Sequence, residues 1–268
     1  MSERFDHPME VLMMRAIGLN FLRLVEESSL TDRCRWLRAN LTHGPARTLD
    51  AGSGLGVCVQ FAAQVNGGAE AVGVSIDDRE NRHAEYRSRI LGLKNTRFIT
   101  WDLRRLDDLE IGAFDQVICF ETLEHVVYDE ALVAALSSKT KIGGRLLLIV
   151  PYALAYREDF AREMAALRAR GIMEPPEDGR HVREGYTPEG LKSIVERHAF
   201  RVEKTEWVIG TISQRLMRFR QKATREFGSP RAALMTAPLK ILRKFDPLLM
   251  RSGVRVWDSI AIVARRMP

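Results

Sequence analysis

The sequence predicts an α/β protein in which a mostly parallel sheet carries helices on both faces. Three observations lead there. Short apolar strands alternate with helical patterns from Thr48 onward, the order that βαβ units require. The stretch Thr48 to Val57, TLDAGSGLGV, ends an apolar run at Asp50 and passes through Gly52, Gly54 and Gly56 into a helix. The run LLLIV at Leu146 to Val150 is continuously apolar, as in a strand buried on both faces.

The glycine turn is specific about backbone and selective about ligand. Glycine lets a ligand approach the chain with no Cβ in the way, and the helix that follows presents unpaired N–H groups. A dinucleotide fingerprint spaces its glycines G-x-G-x-x-G around a pyrophosphate, whereas this chain reads D-x-G-x-G-x-G. A carboxylate two residues before the first glycine repels a pyrophosphate and suits a ligand with positive charge at the turn.

This turn resembles motif I of the class I S-adenosylmethionine-dependent methyltransferases, whose ligand is a cationic sulfonium with an ammonium and a carboxylate. A second stretch, FDQVICFETLEHV at Phe114 to Val126, is similar to the strand and L-E-H-V run of the methyltransferase type 11 or ubiquinone-methylase-like small-molecule branch. The resemblance covers Arg47 to Val150 well, is looser from Tyr186 to Val208, and does not extend to a basic insertion beyond. It implies a Rossmann-like, seven-stranded, mostly parallel sheet with a reversed final strand pair. It also implies S-adenosyl-L-methionine as methyl donor and S-adenosyl-L-homocysteine as product.

The elements are expected in the following order. Met9 to Asn40 reads as two helices, packed beside the sheet or capping the ligand. A helix from Leu55 to Val65 follows the glycine turn, then a strand at Ala71 to Ile76, a helix from Arg79 to Leu91 and strands at Thr96 to Thr100 and Phe114 to Phe120. After the Gly143-Gly144 turn come a strand at Arg145 to Val150, a helix from Glu158 to Arg170, and a helix from Pro188 to about His198 capped by Thr187. Strands at Phe200 to Val208 and Val256 to Ala264 complete the sheet. The expected organisation is an N-terminal helical cap over 1–46, a core over 47–208 with a substrate loop at 151–186, a basic helical insertion over 209–255 and a final core strand over 256–268.

Ligands of open α/β sheets bind outside the carboxyl ends of the strands, so the site residues are sought there. Asp50, Gly52, Ser53, Gly54 and Gly56 form the donor turn. The resemblance puts a ribose-binding acid directly after the Gly-Val of the second strand, where this chain has Ser75. Asp77 is assigned to the ribose, with Ser75 and a water as the alternative; Asp77 or Asp78 could also cap the next helix. The resemblance further assigns Asp102 to the adenine amino group and Leu103 to the ring, while Trp101 is read as core. Glu121 lines the donor pocket, Glu124 and His125 begin the next helix, and His125 is a candidate for proton transfer. In the loop after the fifth strand, His181 is a candidate base, Arg183 a partner for an anionic or polar group, and Tyr186 a wall or hydrogen-bond donor. Tyr152 and Tyr156 complete the candidate substrate set, with loop solvation the alternative for these residues.

Composition bounds the partners. Of 268 residues, 46% are hydrophobic and 28% charged, which reads as soluble and globular. Cys34, Cys58 and Cys119 lack paired spacing, so a reducing compartment and no metal site are expected. The N-terminal sequence has no signal-like apolar run, and a cytoplasmic location follows, with peripheral contact at the inner membrane face as an extension. From Arg201 onward there are 15 Lys and Arg against 5 Asp and Glu, against 26 and 30 before it. The basic amphipathic pattern over 211–250 suits an anionic membrane surface, and equally a lid, a dimer face or a docking site for an acidic carrier. Nucleic acid is not expected, because interleaved exposed aromatics are lacking. The expected activity is methyl transfer to a small-molecule or lipid-linked acceptor, at oxygen, by in-line displacement. The competing readings are a nicotinamide-dependent oxidoreductase, opposed by Asp50 and the glycine spacing, and a non-catalytic scaffold that binds S-adenosylmethionine at a membrane.

Overall fold

The structure is a computed structural model that describes residues 8–21, 28–175, 179–236, 238–246 and 258–268. The chain divides into two units, one of 1–39 with 207–258 and one of 40–206 with 259–268.

The second unit holds the sheet. β1 (Thr48–Ala51) leads through the glycine turn to α3 (Val57–Val65), after α1 (Pro8–Ile17) and α2 (Ser28–Asn40). β2 (Ala71–Ser75), α4 (Asp78–Ile90), β3 (Thr96–Thr100), β4 (Phe114–Phe120), α5 (Asp129–Ser138) and β5 (Thr140–Pro151) follow. Then come α6 (Ala153–Arg168), α7 (Pro188–Arg197), β6 (Phe200–Trp207), α8 (Thr211–Phe227), α9 (Ser229–Thr236) and β7 (Ser259–Arg266). The seven strands are ordered β3-β2-β1-β4-β5-β7-β6. β1 pairs in parallel with β2 and β4, β2 with β3, and β4 with β5, while β7 runs antiparallel to β5. Chain order reverses direction across the sheet at β1 and β4, so their carboxyl ends open a crevice.

Burial follows the strand patterns. β1 and β2 are buried throughout, and Leu49, Val72, Val74, Val117, Leu146, Leu148, Ile260 and Ile262 share one core with Leu132 and Leu136 of α5. Trp101 packs against this core and donates its indole N–H to the Arg105 carbonyl at 2.8 Å, in line with its reading as core.

Several boundaries differ from expectation. β5 starts at Thr140 and absorbs the Gly143-Gly144 turn, because Phe114 pairs with Thr140 and Gln116 with Arg145 across a register shift. α6 starts at Ala153, directly behind the strand, rather than at Glu158. Glu124 and His125 sit in a short 3₁₀ turn, Leu123–His125, and the next helix waits until Asp129. β7 begins at Ser259; the positions from Val256 assigned to its start lie outside the described residues apart from Asp258.

The other unit contributes α1, α2, α8, α9 and a 3₁₀ segment, Pro238–Phe245. Asp246 closes the α8 N-terminus: its carboxylate accepts from the Ile212 and Ser213 amides at 2.8 and 3.2 Å. The apolar face expected of α8 divides, with Leu216 and Ala223 buried and Phe219 and Phe227 exposed. Arg220 is buried rather than on the basic surface, and the side chains of Lys240, Arg243 and Lys244 lie outside the described residues.

Gly56 fixes how α3 approaches the sheet. Its φ is 76°, and a Cβ there would stand 2.6 Å from both Ala84 Cβ and Phe98 Cε1. Gly56→Ala is expected to cost about 2–4 kcal/mol, from strain and overpacking together, read as a lower midpoint in urea unfolding.

Candidate active site

A cavity of about 380 Å³ opens at the carboxyl ends of β1, β2 and β4. Gly52 and Gly54 form its floor, Ser75, Ile76 and Glu80 one side, Asp102, Leu103 and Arg104 another, and Glu121, Thr122, His125, Val126 and Gly179 the remainder. Its volume is in the range of small-molecule sites.

The glycine turn is shaped by its neighbours. Gly52 is pressed against Thr122, where a Cβ would meet the Thr122 hydroxyl at 2.2 Å, so the backbone at this point runs directly past the end of β4. Gly54 faces the Glu80 carboxylate across an open gap of 3.8 Å from its Cβ direction. Ser53 is buried over Gly73, and Gly56 faces α4 and β3 instead of the cavity. Asp50 lies beneath the turn, 2% exposed and flanked by Gly73 and Ile118 on the neighbouring strands. Burial raises its carboxyl to about 7. A cation above the turn would supply what the apolar surroundings withhold.

The side of the cavity formed by β2 and α4 departs from the assigned roles. β2 ends at Ser75, so Asp77 is already the N-cap of α4, and its carboxylate accepts from the Arg79 amide at 2.8 Å. Asp77 is exposed and turned toward its own helix, outside the cavity lining. Glu80, one turn later, enters the cavity instead, and Ser75 donates its hydroxyl to Glu80 Oε2 at 2.9 Å. Asp102 caps a 3₁₀ turn over Leu103–Asp108, and its carboxylate takes the Arg104 amide at 2.9 Å and the Arg104 guanidinium at 2.5–3.0 Å. The Arg104 hydrogen bonds hold Asp102 below the ordinary carboxylate range. Leu103 and Ile76 supply the apolar walls, Ile76 being 67% exposed.

The fourth side combines strain with clamping. Glu121 holds a positive φ of 49°, rare for a residue with a Cβ, at the end of β4. Its amide donates to the Ile149 carbonyl at 2.8 Å, and its Oε1 accepts from the Ser259 hydroxyl at 3.2 Å. His125 Nδ1 lies 2.9 Å from the Arg180 carbonyl, and its ring meets His181 edge to face at 4.9 Å. Burial, and then His125, lower His181 to about 4.

Arg183 and Tyr186 face Asp129. Arg183 donates to the Asp129 carboxylate and the Val126 carbonyl, both at 2.6 Å, and to the Val127 carbonyl at 2.8 Å. The buried Tyr186 hydroxyl donates to the same Asp129 oxygen at 2.8 Å. Neither side chain lines the cavity; together they fasten the loop that carries His181. Tyr152 is half-buried against the core and bridges the backbone of Tyr186, and the side chain of Tyr156 lies outside the described residues. Glu80, Ile76 and Gly179 were not singled out by the sequence; for Glu80 the signal was an acid one helical turn beyond the Ser75 position.

Comparison with known proteins places this geometry. Residues 49–146 match the family described as Methyltransferase domain. The Ubiquinone biosynthesis O-methyltransferase of Xanthomonas oryzae pv. oryzae is 30% identical over 146 residues, covering 52% of this chain and 59% of that protein. The chain therefore spans somewhat over half the length of this curated relative. A putative sarcosine dimethylglycine methyltransferase from Galdieria sulphuraria has the same fold with a TM-score of 0.59 at 13% identity, covering 88% of this chain and 84% of the other. Geranyl diphosphate C-methyltransferase from Streptomyces coelicolor A3(2), solved with Mg²⁺, geranyl diphosphate and S-adenosyl-L-homocysteine, superposes with a TM-score of 0.58 at 16% identity, over 88% and 78% of the two chains.

Asp50 yields a prediction with a defined sign. Its folded value of about 7 lies above the ordinary 3.8, so the associated stability is complete below 3.8 and lost as pH rises through about 7. Asp50→Asn is expected to unfold several degrees above wild type at pH 8 and level with it at pH 4 in thermal scans, at about 2–4 °C per kcal/mol. The glycine turn, the L-E-H-V turn and the domain match all fall on this one crevice, and residues 49–146 carry a methyltransferase domain.

Proposed function

We propose that the protein transfers the methyl group of S-adenosyl-L-methionine to an oxygen of a small-molecule or lipid-linked acceptor. The observation that carries the donor assignment is the grouping of Gly54, Ser75, Glu80, Asp102 and Leu103 around one cavity above the buried Asp50. Glu80 and Ser75 are assigned to the ribose hydroxyls, Asp102 to the adenine amino group, Leu103 and Ile76 to the ring faces, and Asp50 with Glu121 to the cationic end. When bound, the sulfonium supplies a methyl that forms a C–O bond as the C–S bond breaks in line with it. The chain's contribution is orientation and exclusion of water, which require few reactive groups. An acceptor hydroxyl must also lose its proton, and His125 and His181 are assigned to that loss through their imidazole lone pairs.

The oxygen preference draws support from the ubiquinone O-methyltransferase relative, and the lipid-linked class from the surface of the helical insertion. Phe219, Phe227, Leu234, Ile241 and Phe245 are exposed there, in the same unit as the exposed Arg215, Lys222, Arg225 and Arg231. This combination of apolar and basic side chains suits peripheral contact with an anionic bilayer. No helix among the described residues is long and apolar enough to cross a membrane.

Two experiments test these assignments. In calorimetric titration, wild type is expected to bind S-adenosyl-L-homocysteine and not NADH. Glu80→Gln is expected to weaken that binding about tenfold, as loss of a charged hydrogen-bond acceptor predicts, while Asp77→Ala lowers stability by about 1 kcal/mol and leaves affinity intact. An unchanged affinity in Glu80→Gln would remove the ribose assignment. In flotation with phosphatidylglycerol-containing vesicles, wild type is expected to travel with the lipid and a Phe219→Ser/Phe227→Ser variant to stay behind; equal recovery from neutral vesicles would count against the anionic surface.

A further inference from the structure

Beside the donor cavity, one carboxylate oxygen of Glu124, one imidazole nitrogen of His125 and one of His181 lie within 4.8 Å of one another. The three come from two segments. Glu124 and His125 sit in the turn after β4, and His181 sits in the loop between α6 and α7. Glu124 is fully buried, whereas the two histidines are half-buried and His125 reaches the cavity wall.

The hydrogen bonds around the cluster settle which atoms face inward. A backbone carbonyl can only accept, so the Arg180 carbonyl 2.9 Å from His125 Nδ1 requires the proton on Nδ1. In the neutral ring the lone pair is then on the other nitrogen, Nε2, which lies 3.9 Å from Glu124 Oε1. Fixing the tautomer of a ring by an outer hydrogen bond to a carbonyl is how metal-ligating histidines are oriented. The surroundings are also held in place. The Val182 amide donates to the Glu124 carbonyl at 2.8 Å, and Arg183 and Tyr186 tie the same loop to Asp129. The ordering of two segments that a metal site demands is thus already built into the fold.

We infer that Glu124, His125 and His181 form a site for a divalent transition metal of the zinc class, with an open position toward the donor cavity. Two imidazoles and one carboxylate are a donor set that zinc accepts, and three protein ligands leave a fourth position for water or substrate. Zinc–nitrogen bonds of about 2.0–2.1 Å put tetrahedral donors roughly 3.4 Å apart, so ligand atoms now within 4.8 Å of one another would draw together by up to about 1.4 Å on binding. The inference rests on the proposed methyl transfer only for what fills the open position. With the metal bound, an acceptor hydroxyl there would be polarised and would release its proton to solvent water, the histidine lone pairs then being held by the metal; the proton-accepting role proposed above belongs to the metal-free chain.

The test is calorimetric titration of the tag-free, chelator-treated full chain with zinc sulfate, with S-adenosyl-L-homocysteine titrated separately. One equivalent per chain at micromolar affinity or tighter is expected. His181→Ala and Glu124→Gln should each lower it at least tenfold, while His83→Ala, on the helix after β2, leaves it unchanged. Retention of S-adenosyl-L-homocysteine binding by His181→Ala shows that the variant is folded. Absence of stoichiometric zinc in wild type, or affinity that survives His181→Ala, overturns the site. A wild type that takes zinc but not S-adenosyl-L-homocysteine keeps the metal site and sinks the donor assignment, so the two failures are separable.

Discussion

The carboxylate of Asp129 is the contact on which the His125 and His181 side of the crevice depends. It stands at the start of α5, buried, and takes hydrogen bonds from Arg183 and Tyr186, which lie more than fifty residues further along. A buried carboxylate is costly unless a cation and good donors meet it, and here both come from one loop. That loop has little apolar surface of its own to bury, and its position is set by this anchor and by backbone contacts to Glu124 and Val126. The edge-to-face meeting of His125 and His181 follows from the clamp.

The glycine-turn side is organised by a different constraint, the closeness of backbone to backbone. Gly52 lets the turn run against Thr122, Gly73 makes room for Ser53 and Phe98, and Gly56 seats the third helix on Ala84. These contacts leave Gly54 as the open member of the turn. The chemistry of the crevice then comes from the strand ends and the residues shortly beyond them: Ser75 as the last residue of β2 with Ile76 after it, Asp102 and Leu103 beyond β3, Glu121 and Thr122 after β4.

How far the sequence discloses this depends on whether a residue acts locally. The Asp50 to Gly56 turn, the Thr187 cap with Pro188 and the apolar fifth strand are local patterns, and the structure forms them. Glu80 escaped because, along the chain, it looks like an ordinary solvated residue of a helix first turn; only the three-dimensional approach of Ser75 gives it another neighbour. Asp77 carried the mark of a ligand acid but equally that of an N-cap, and the early end of β2 decided for the cap. Arg183 and Tyr186 were legible as polar residues on a substrate-side loop, while their partner Asp129 was not, since nothing in sequence spacing links them. The start of the sixth helix was missed for a similar reason: Tyr152 and Ala153 owe their conformation to the Tyr186 backbone across a bridge, not to a cap of their own.

The place of β7 in the sheet carries a consequence for how the molecule is made. β6 lies outermost, yet the strand that separates it from β5 is β7, synthesised only after the helices of the insertion. β6 therefore has no strand to pair with when it leaves the ribosome, and must wait until β7 slides in between. Because Ser259 of β7 also braces the strained Glu121, the cavity remains unfinished through the same interval. Long-range insertion of this kind is slow compared with local pairing. During that delay the β5 edge that β7 will cover, with Leu146, Leu147, Leu148 and Ile149, has no strand beside it.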